Sequence, residues 1–152
     1  MDMKTDSKSE KTTEDYLEAM LMLKHKKGYI RSIDVAKHLG VTKPSVTYTT
    51  KRLKEKGYIV MDKDNYITIT ESGMKIAENI LNRHETLTAF FISIGVDEET
   101  AKEDACKVEH DISPKTFTAL CNYINKSKVS PQCSSDYLKN SENGKITPSR
   151  SE

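Results

Sequence analysis

Tryptophan is absent from this chain of 152 residues, aromatics make up only 7% of it, and there are three cysteines. The cysteines, at positions 106, 121 and 133, are odd in number and far apart, which excludes a disulfide-stapled scaffold and fits a reducing cytosol. Long apolar runs are missing too. The longest largely apolar stretch, Leu87 to Val96, is broken by Thr88 and Ser93 and falls well short of the roughly 20 residues of a membrane span. Residues 1–11 are polar and show no apolar core or cleavage pattern, so no secretory leader is expected. Nor is there an excess of one charge: 24 Lys and Arg against 23 Asp and Glu leave a net charge of +1. That balance excludes a uniformly basic nucleic-acid coat and an acidic tail protein, so a DNA-facing surface would have to come from local segregation of charge. The length suits one compact domain or two small ones, and a soluble, cytoplasmic protein without membrane contact is expected.

Residues 1–11 are expected to be disordered, with Thr12 capping the first helix and Asp15 reaching back in a capping box. Tyr16, Leu17, Met20, Leu21 and Leu23 are spaced as one helical face, which predicts a helix to about Lys27, ended by Gly28; Asp15 and Glu18 share a different face. A short helical pattern from Ser32 to Leu39 stops at Gly40. Thr42 is a good cap for the next helix, Pro44 lies in its first turn, Val46 and Leu53 face inward, and Gly57 closes it. Two short helices joined by a tight turn make a helix-turn-helix. After Gly57 the apolar period falls from about 3.6 to about 2, over Tyr58–Met61 and Tyr66–Thr70 around an Asp62–Asn65 turn, which predicts a β-hairpin. Residues 12–71 thus read as a winged helix-turn-helix.

A long helix is predicted from about Ser72 to Ser93, with Ile76, Ile80, His84, Leu87, Phe91 and Ile94 on one stripe. It opens an all-helical domain over residues 72–126. A second helix is predicted over Asp97–Ile112, with Ala101, Ala105, Val108 and Ile112 inward. Ser113 and Pro114 open a third, with Phe117, Leu120, Cys121 and Ile124 inward. Residues 127–152 are rich in Ser, Asn and Lys and are expected to form a disordered tail. The predicted fold is mainly α: an N-terminal winged helix-turn-helix with a β-hairpin wing, then an all-helical domain.

The near-neutral total hides two opposite modules. Between Arg31 and Lys56 seven basic residues stand against two acidic ones; between Asp97 and Asp111 seven acidic residues stand against two basic ones. The basic module coincides with the helix-turn-helix, where phosphate neutralisation would supply most of the affinity for DNA. Hydroxyl-rich residues crowd the start of its second helix. Thr42, Pro44 and Tyr48 are assigned to the groove floor, and Ser45, Thr47, Lys51 and Arg52 to the phosphate backbone, with Lys43 and Arg31 adding charge. Lys51 to Lys56 alone would read as a solvated helix face; the helix-turn-helix and wing around it favour DNA.

In the acidic segment Cys106, Glu109 and His110 are spaced i, i+3, i+4, which puts a thiol, a carboxylate and an imidazole on one helical face. Those are three of the ligand types of a borderline divalent metal. Asp15 and Glu18 offer carboxylates, and His84 an imidazole on an otherwise apolar stripe, where by itself it would be a hydrogen-bonded core histidine. Cys121 fits an apolar stripe and Cys133 lies in the tail, so neither is expected to be a ligand; His25 and His38 are expected at the surface.

Five segments, TTEDYLEAM, SIDVAKHLGVTKPSVT, RHETL, GVDEE and DACKVEHDIS, resemble the metal-dependent repressors that include the diphtheria toxin repressor and the manganese transport regulator, over about residues 12–126. By position, the manganese-type members ligate metal through residues matching Asp15, Glu18, His84, Glu109 and His110, with a carboxylate where this chain has Cys106. Iron-type members have Cys there but Met where Asp15 stands, so the chain is a hybrid. An ancillary site of the iron-type members maps to Thr88 and Lys102, which lack the required ligands. The resemblance implies a homodimeric, metal-dependent repressor of metal homeostasis that reads a palindromic double-stranded operator. Mn(II) or Fe(II) is the expected metal, with Co(II), Ni(II) and Zn(II) as surrogates. Soft Cys106 favours Fe(II), Co(II) or Zn(II), whereas hard Asp15 and Glu18 suit Mn(II). Two other readings stand beside it. One is a winged-helix regulator governed by an organic effector or by redox change at Cys106. The other is a metallohydrolase, against which no spare general base, phosphate loop or nucleophile elbow is visible; no catalytic residue is assigned.

Overall fold

The computed structural model describes residues 3–127, with side chains from residue 7 onward. The chain divides into two compact units, with the boundary between Leu81 and Asn82.

In the first unit, α1 runs over Met3–Lys27. Residues 3–11, expected to be disordered, form its opening turns, and Thr12 lies inside the helix rather than at its cap. The Oγ1 of Thr12 donates to the Lys8 carbonyl at 2.9 Å, and that of Thr13 to Ser9 at 3.0 Å. A Lys- and Ser-rich stretch with little to bury can still be helical once an apolar segment downstream is anchored, because propagation adds one hydrogen bond for each residue fixed. Gly28 ends α1 at φ 81°, in the left-handed region.

Next come α2 (Ser32–Leu39) and α3 (Lys43–Glu55). Gly40, with φ 64°, stops α2. Thr42 caps α3, accepting a hydrogen bond from the Ser45 N–H at 3.4 Å, and Pro44 occupies the first turn, where its missing N–H costs nothing. The wing is an antiparallel pair, β1 (Ile59–Met61) and β2 (Ile67–Ile69), with Ile59 opposite Ile69 and Met61 opposite Ile67. Alternation sends Ile59, Ile67 and Ile69 into the core and Val60 and Thr68 out. Asp62 builds the turn between them, its Oδ1 accepting from the N–H groups of Asp64 at 2.9 Å and Tyr66 at 3.0 Å. Asn65 there takes φ 62°, a region that suits asparagine among the non-glycine residues. A bridge between Arg31 and Tyr66, and a 2.9 Å hydrogen bond from the Ile67 N–H to the Ile30 carbonyl, tie the wing to the chain entering α2.

Tyr16, Leu17, Met20, Leu21, Val35, Val46, Leu53, Ile59 and Ala77 are among the buried members of one core. Each fully buried aliphatic side chain there contributes about 1.5–3 kcal/mol. Asp34, also buried, accepts a 2.6 Å charged hydrogen bond from Lys27. The helix α4 (Glu71–Ser93) begins in this unit at a cap the sequence reading missed. Thr70 Oγ1 accepts from the Gly73 N–H at 3.3 Å and donates to the Gly57 carbonyl at 2.6 Å. Gly73 itself is required by space: a Cβ there would lie 2.1 Å from the Tyr58 carbonyl oxygen.

The second unit holds the rest of α4 with α5 (Glu98–Val108) and α6 (Pro114–Lys126). Asp97 caps α5, accepting from the Thr100 N–H at 2.9 Å, and Ser113 caps α6, accepting from Thr116 at 3.1 Å. Leu87, Ala101, Ala105, Phe117, Cys121 and Ile124 are buried. Two expectations are corrected. Ile94 lies beyond the end of α4 and is 63% exposed, so the apolar stripe ends before it. And α5 stops at Val108 rather than at Ile112: Ser113 is extended (ψ 155°) as the cap of α6, and the proline after it disfavours helix in the residue before. The tail and Cys133 fall outside the described residues. No helix among the described residues is long and apolar enough to cross a membrane.

Candidate metal centre and nucleic-acid interface

Because α5 ends at Val108, Glu109 and His110 are carried by the turn that follows it, not by the helix. Glu109 keeps helical angles (φ −56°, ψ −32°), so its side chain still leaves on the face expected one turn beyond Cys106. That is why the i, i+3 spacing brings the two together although the helix is shorter than predicted. The imidazole of His84, on α4, meets both. Its Nδ1 lies 2.8 Å from Glu109 Oε2 and 3.5 Å from Cys106 Sγ. The other Glu109 oxygen stands 3.3 Å from His110 Nε2. One carboxylate, 1% exposed, is thus flanked by two imidazoles. Burying a carboxylate that deeply is costly unless charged or hydrogen-bonding partners compensate, and here His84 supplies one at 2.8 Å.

The electrostatics follow. The Cys106 sulfur and then the Glu109 carboxylate hold a proton on His84, raising its pKa from 6.5 to about 10 against the opposing effect of burial. A proton bound between a thiol and a carboxylate occupies the place of a cation. The donor atoms of His84, Cys106 and Glu109 lie within 4.8 Å of one another. Nitrogen and sulfur ligands stand about 2.0–2.3 Å from a transition metal, so three donors this close need only side-chain adjustment to share one ion. The set, one imidazole, one thiol and one carboxylate, fits a borderline divalent metal. Asp15 and Glu18 lie on α1 in the first unit; Glu18 is buried and Asp15 partly so.

Arg83 was missed by the sequence reading. Its Nη1 donates to the Glu109 carbonyl at 3.0 Å and to the Ile112 carbonyl at 2.8 Å, and its guanidinium carbon lies 5.3 Å from the centre of the Phe117 ring. Its position beside His84 was the sole signal, and nothing local reveals a reach of 26 residues.

On the first unit, Val46 and Leu53 are buried and set which face of α3 looks outward. Arg31, Thr42, Lys43, Pro44, Ser45, Thr47, Tyr48, Lys51 and Arg52 are all exposed. The hydroxyls of Thr42 and Ser45 are hydrogen-bonded to each other at 2.9 Å, and Thr47 donates back to the Lys43 carbonyl at 3.1 Å. Tyr48, 63% exposed, has the Arg52 guanidinium 5.8 Å above its ring. Arg31 lies 5.1 Å over the ring of Tyr66 at the base of the wing. Arg31, Thr47, Lys51 and Lys54 line one cleft with Met61 and Asn65 of the wing. Three cations along a cleft between a helix and a hairpin suit a polyanionic backbone.

Comparison with known proteins agrees with both halves. Residues 9–66 match the family model of the iron dependent repressor N-terminal DNA binding domain, and residues 70–137 that of the iron dependent repressor metal binding and dimerisation domain. An uncharacterized HTH-type transcriptional regulator of Methanocaldococcus jannaschii is 37% identical over 117 residues, 76% of this chain and 94% of that protein. The HTH-type transcriptional regulator MntR of Bacillus subtilis is 39% identical over 100 residues, 66% of this chain and 70% of that protein. Among solved structures, T. acidophilum IdeR matches with a TM-score of 0.67 and 25% identity, over 74% of this chain and 53% of that one, so the chain spans about half its length.

Proposed function

The chain belongs to the iron-dependent repressor family, DNA-binding transcriptional regulators rather than enzymes, and from that premise we propose that it represses transcription when Mn(II) or Fe(II) is bound. The observation that carries the reading is the cluster of His84, Cys106 and Glu109 donors within 4.8 Å, built on a carboxylate only 1% exposed. His84, Cys106, Glu109 and His110 would hold the ion, joined by Asp15 and Glu18, which the family resemblance assigns. The bound cation supplies positive charge and directed bonds that offset repulsion among the carboxylates. Without it, those carboxylates favour a looser ensemble, and DNA affinity falls with the fraction of competent conformers. Metal and operator must then tighten each other equally.

The partner would be a palindromic operator, read by a homodimer whose two α3 helices enter successive major grooves about one helical turn apart. Thr42, Pro44 and Tyr48 would reach base edges; Arg31, Lys43, Ser45, Thr47, Lys51 and Arg52 would hold phosphates. To test the proposal, DNA selected from a random pool with metal present is labelled and binding is followed by fluorescence anisotropy. Tight binding with Mn(II) or Fe(II), lost on chelation and absent in Glu109→Ala, supports it. Wild-type binding indifferent to chelation would sink it. A second reading, redox control, is favoured by the exposure of Cys106 and its 3.5 Å contact with His84. Metal-free protein that binds the same DNA and releases it on oxidation would support that reading instead.

A further inference from the structure

We infer that Arg83 is the positioning residue of the ligand-bearing turn, holding the Glu109 and His110 donors in register with His84; the inference rests on the metal-binding reading above. Where a helix ends, its last carbonyls lose their intrahelical partners, and a cation that accepts them also complements the negative end of the helix dipole. Arg83 does this for α5 from a distance in sequence. Its Nη1 donates to the carbonyls of Glu109 and Ile112, the first and last residues of the turn. The guanidinium in turn rests over the ring of Phe117, which is 0% exposed, so α6 fixes the clamp from behind.

Consequently neighbouring residues of α4 set both sides of one contact. His84 offers Nδ1 directly, and Arg83 fixes the peptide from which the Glu109 carboxylate reaches it at 2.8 Å. The backbone of this four-residue turn also carries two amide hydrogen bonds. The Glu109 N–H donates to Ala105 at 2.9 Å and the Asp111 N–H to Val108 at 3.0 Å, bonds that a fraying helix end readily exchanges. Arg83 bonds the carbonyls of the turn and lies over the Phe117 ring, so its contribution is geometry at the site. Its loss must therefore alter the coordination itself and not merely the amount of folded protein.

The test compares wild type with Arg83→Met, which keeps a stem but no donors, and Arg83→Lys, which keeps charge and donors but not the planar group over Phe117. In the metal-free protein, amide hydrogen exchange at Glu109 and Asp111 is expected to speed at least about tenfold in Arg83→Met, with the amides of α1 to α3 unchanged. Co(II) affinity falls about 10–100-fold, the range of residues that orient metal ligands. At saturating Co(II) the thiolate charge-transfer band shifts, which a loss of stability alone would not cause, and Arg83→Lys recovers part of each change. Wild-type exchange and an unshifted band in Arg83→Met overturn the inference. Should Arg83→Met fail to fold, Arg83→Lys decides: faster exchange with a shifted band supports the clamp, and unchanged values overturn it. If wild type binds no Co(II), the metal reading falls and this inference with it.

Discussion

Metal binding at the His84 cluster should release protons and strengthen as pH rises. In the metal-free protein, Cys106 and Glu109 hold the His84 proton with a pKa of about 10. Metal cannot take the Nδ1 donor until that proton leaves, so from about pH 6.5 to 9 each imidazole displacement raises the apparent affinity about tenfold per pH unit, about 1.4 kcal/mol. The sign for the metal-free protein is opposite. A folded pKa above the unfolded value contributes stability that is fully present below about 6.5 and is lost as pH rises through about 10. Co(II) titrations by absorbance between pH 6.5 and 8.5, with a dye reporting released protons in weak buffer, test this directly. In Cys106→Ser the largest cause of the raised His84 pKa is removed, so the steep range should shrink toward neutral pH. A flat affinity with no proton release would refute the reasoning. It would mean that the contacts at 2.8 and 3.5 Å do not hold a proton in solution.

Glu109→Gln keeps the shape of the buried side chain but removes its charge. The His84 pKa should fall, read by NMR titration of the ring, and Co(II) affinity should drop by about 10-fold or more; an unmoved His84 resonance would count against the pair. Lys51→Ala, in the cleft beside the wing, should weaken binding to all operator sequences alike and lower the slope of log K against log salt by about one. A change confined to one base position would instead make Lys51 a base reader. Gly73→Ala would place its Cβ 2.1 Å from the Tyr58 carbonyl oxygen and 2.9 Å from the carbonyl carbon, backbone atoms that cannot swing aside. A loss of about 1–3 kcal/mol is expected, seen as a melting temperature lowered by several degrees. A melting curve like that of wild type would show that α4 can shift at no cost.

Legibility along the chain followed the range of the forces involved. The helix-turn-helix and wing could be read because their signals are local: Thr42 and Pro44 start α3, Gly40 stops α2, and the change of period after Gly57 marks the hairpin. The opening turns of α1 were misread because Thr12 resembles a cap, and nothing nearby indicates that the helix continues upstream on anchoring gained from Tyr16 to Leu23. In the candidate metal centre, the local spacing of Cys106, Glu109 and His110 nominated three donors even though the helix assumed for them ends early, since Glu109 retains helical angles. The Thr70 cap of α4 was missed because Thr70 reads as the last residue of the strand pattern, although its bond from the Gly73 N–H is local; its second bond, to the Gly57 carbonyl, is the tertiary one.

By itself, then, the sequence determined which residues could serve as ligands and which face of α3 is exposed, because helical periodicity and capping act within four residues. The tertiary structure alone decided that His84 meets Glu109, that the carboxylate between two imidazoles is buried, and that Arg83 grips the turn from 26 residues away. Those are contacts between elements distant in sequence. Their geometry and the pKa of His84 depend on which groups packing brings together and how much water it excludes, and neither quantity exists in the chain before it folds.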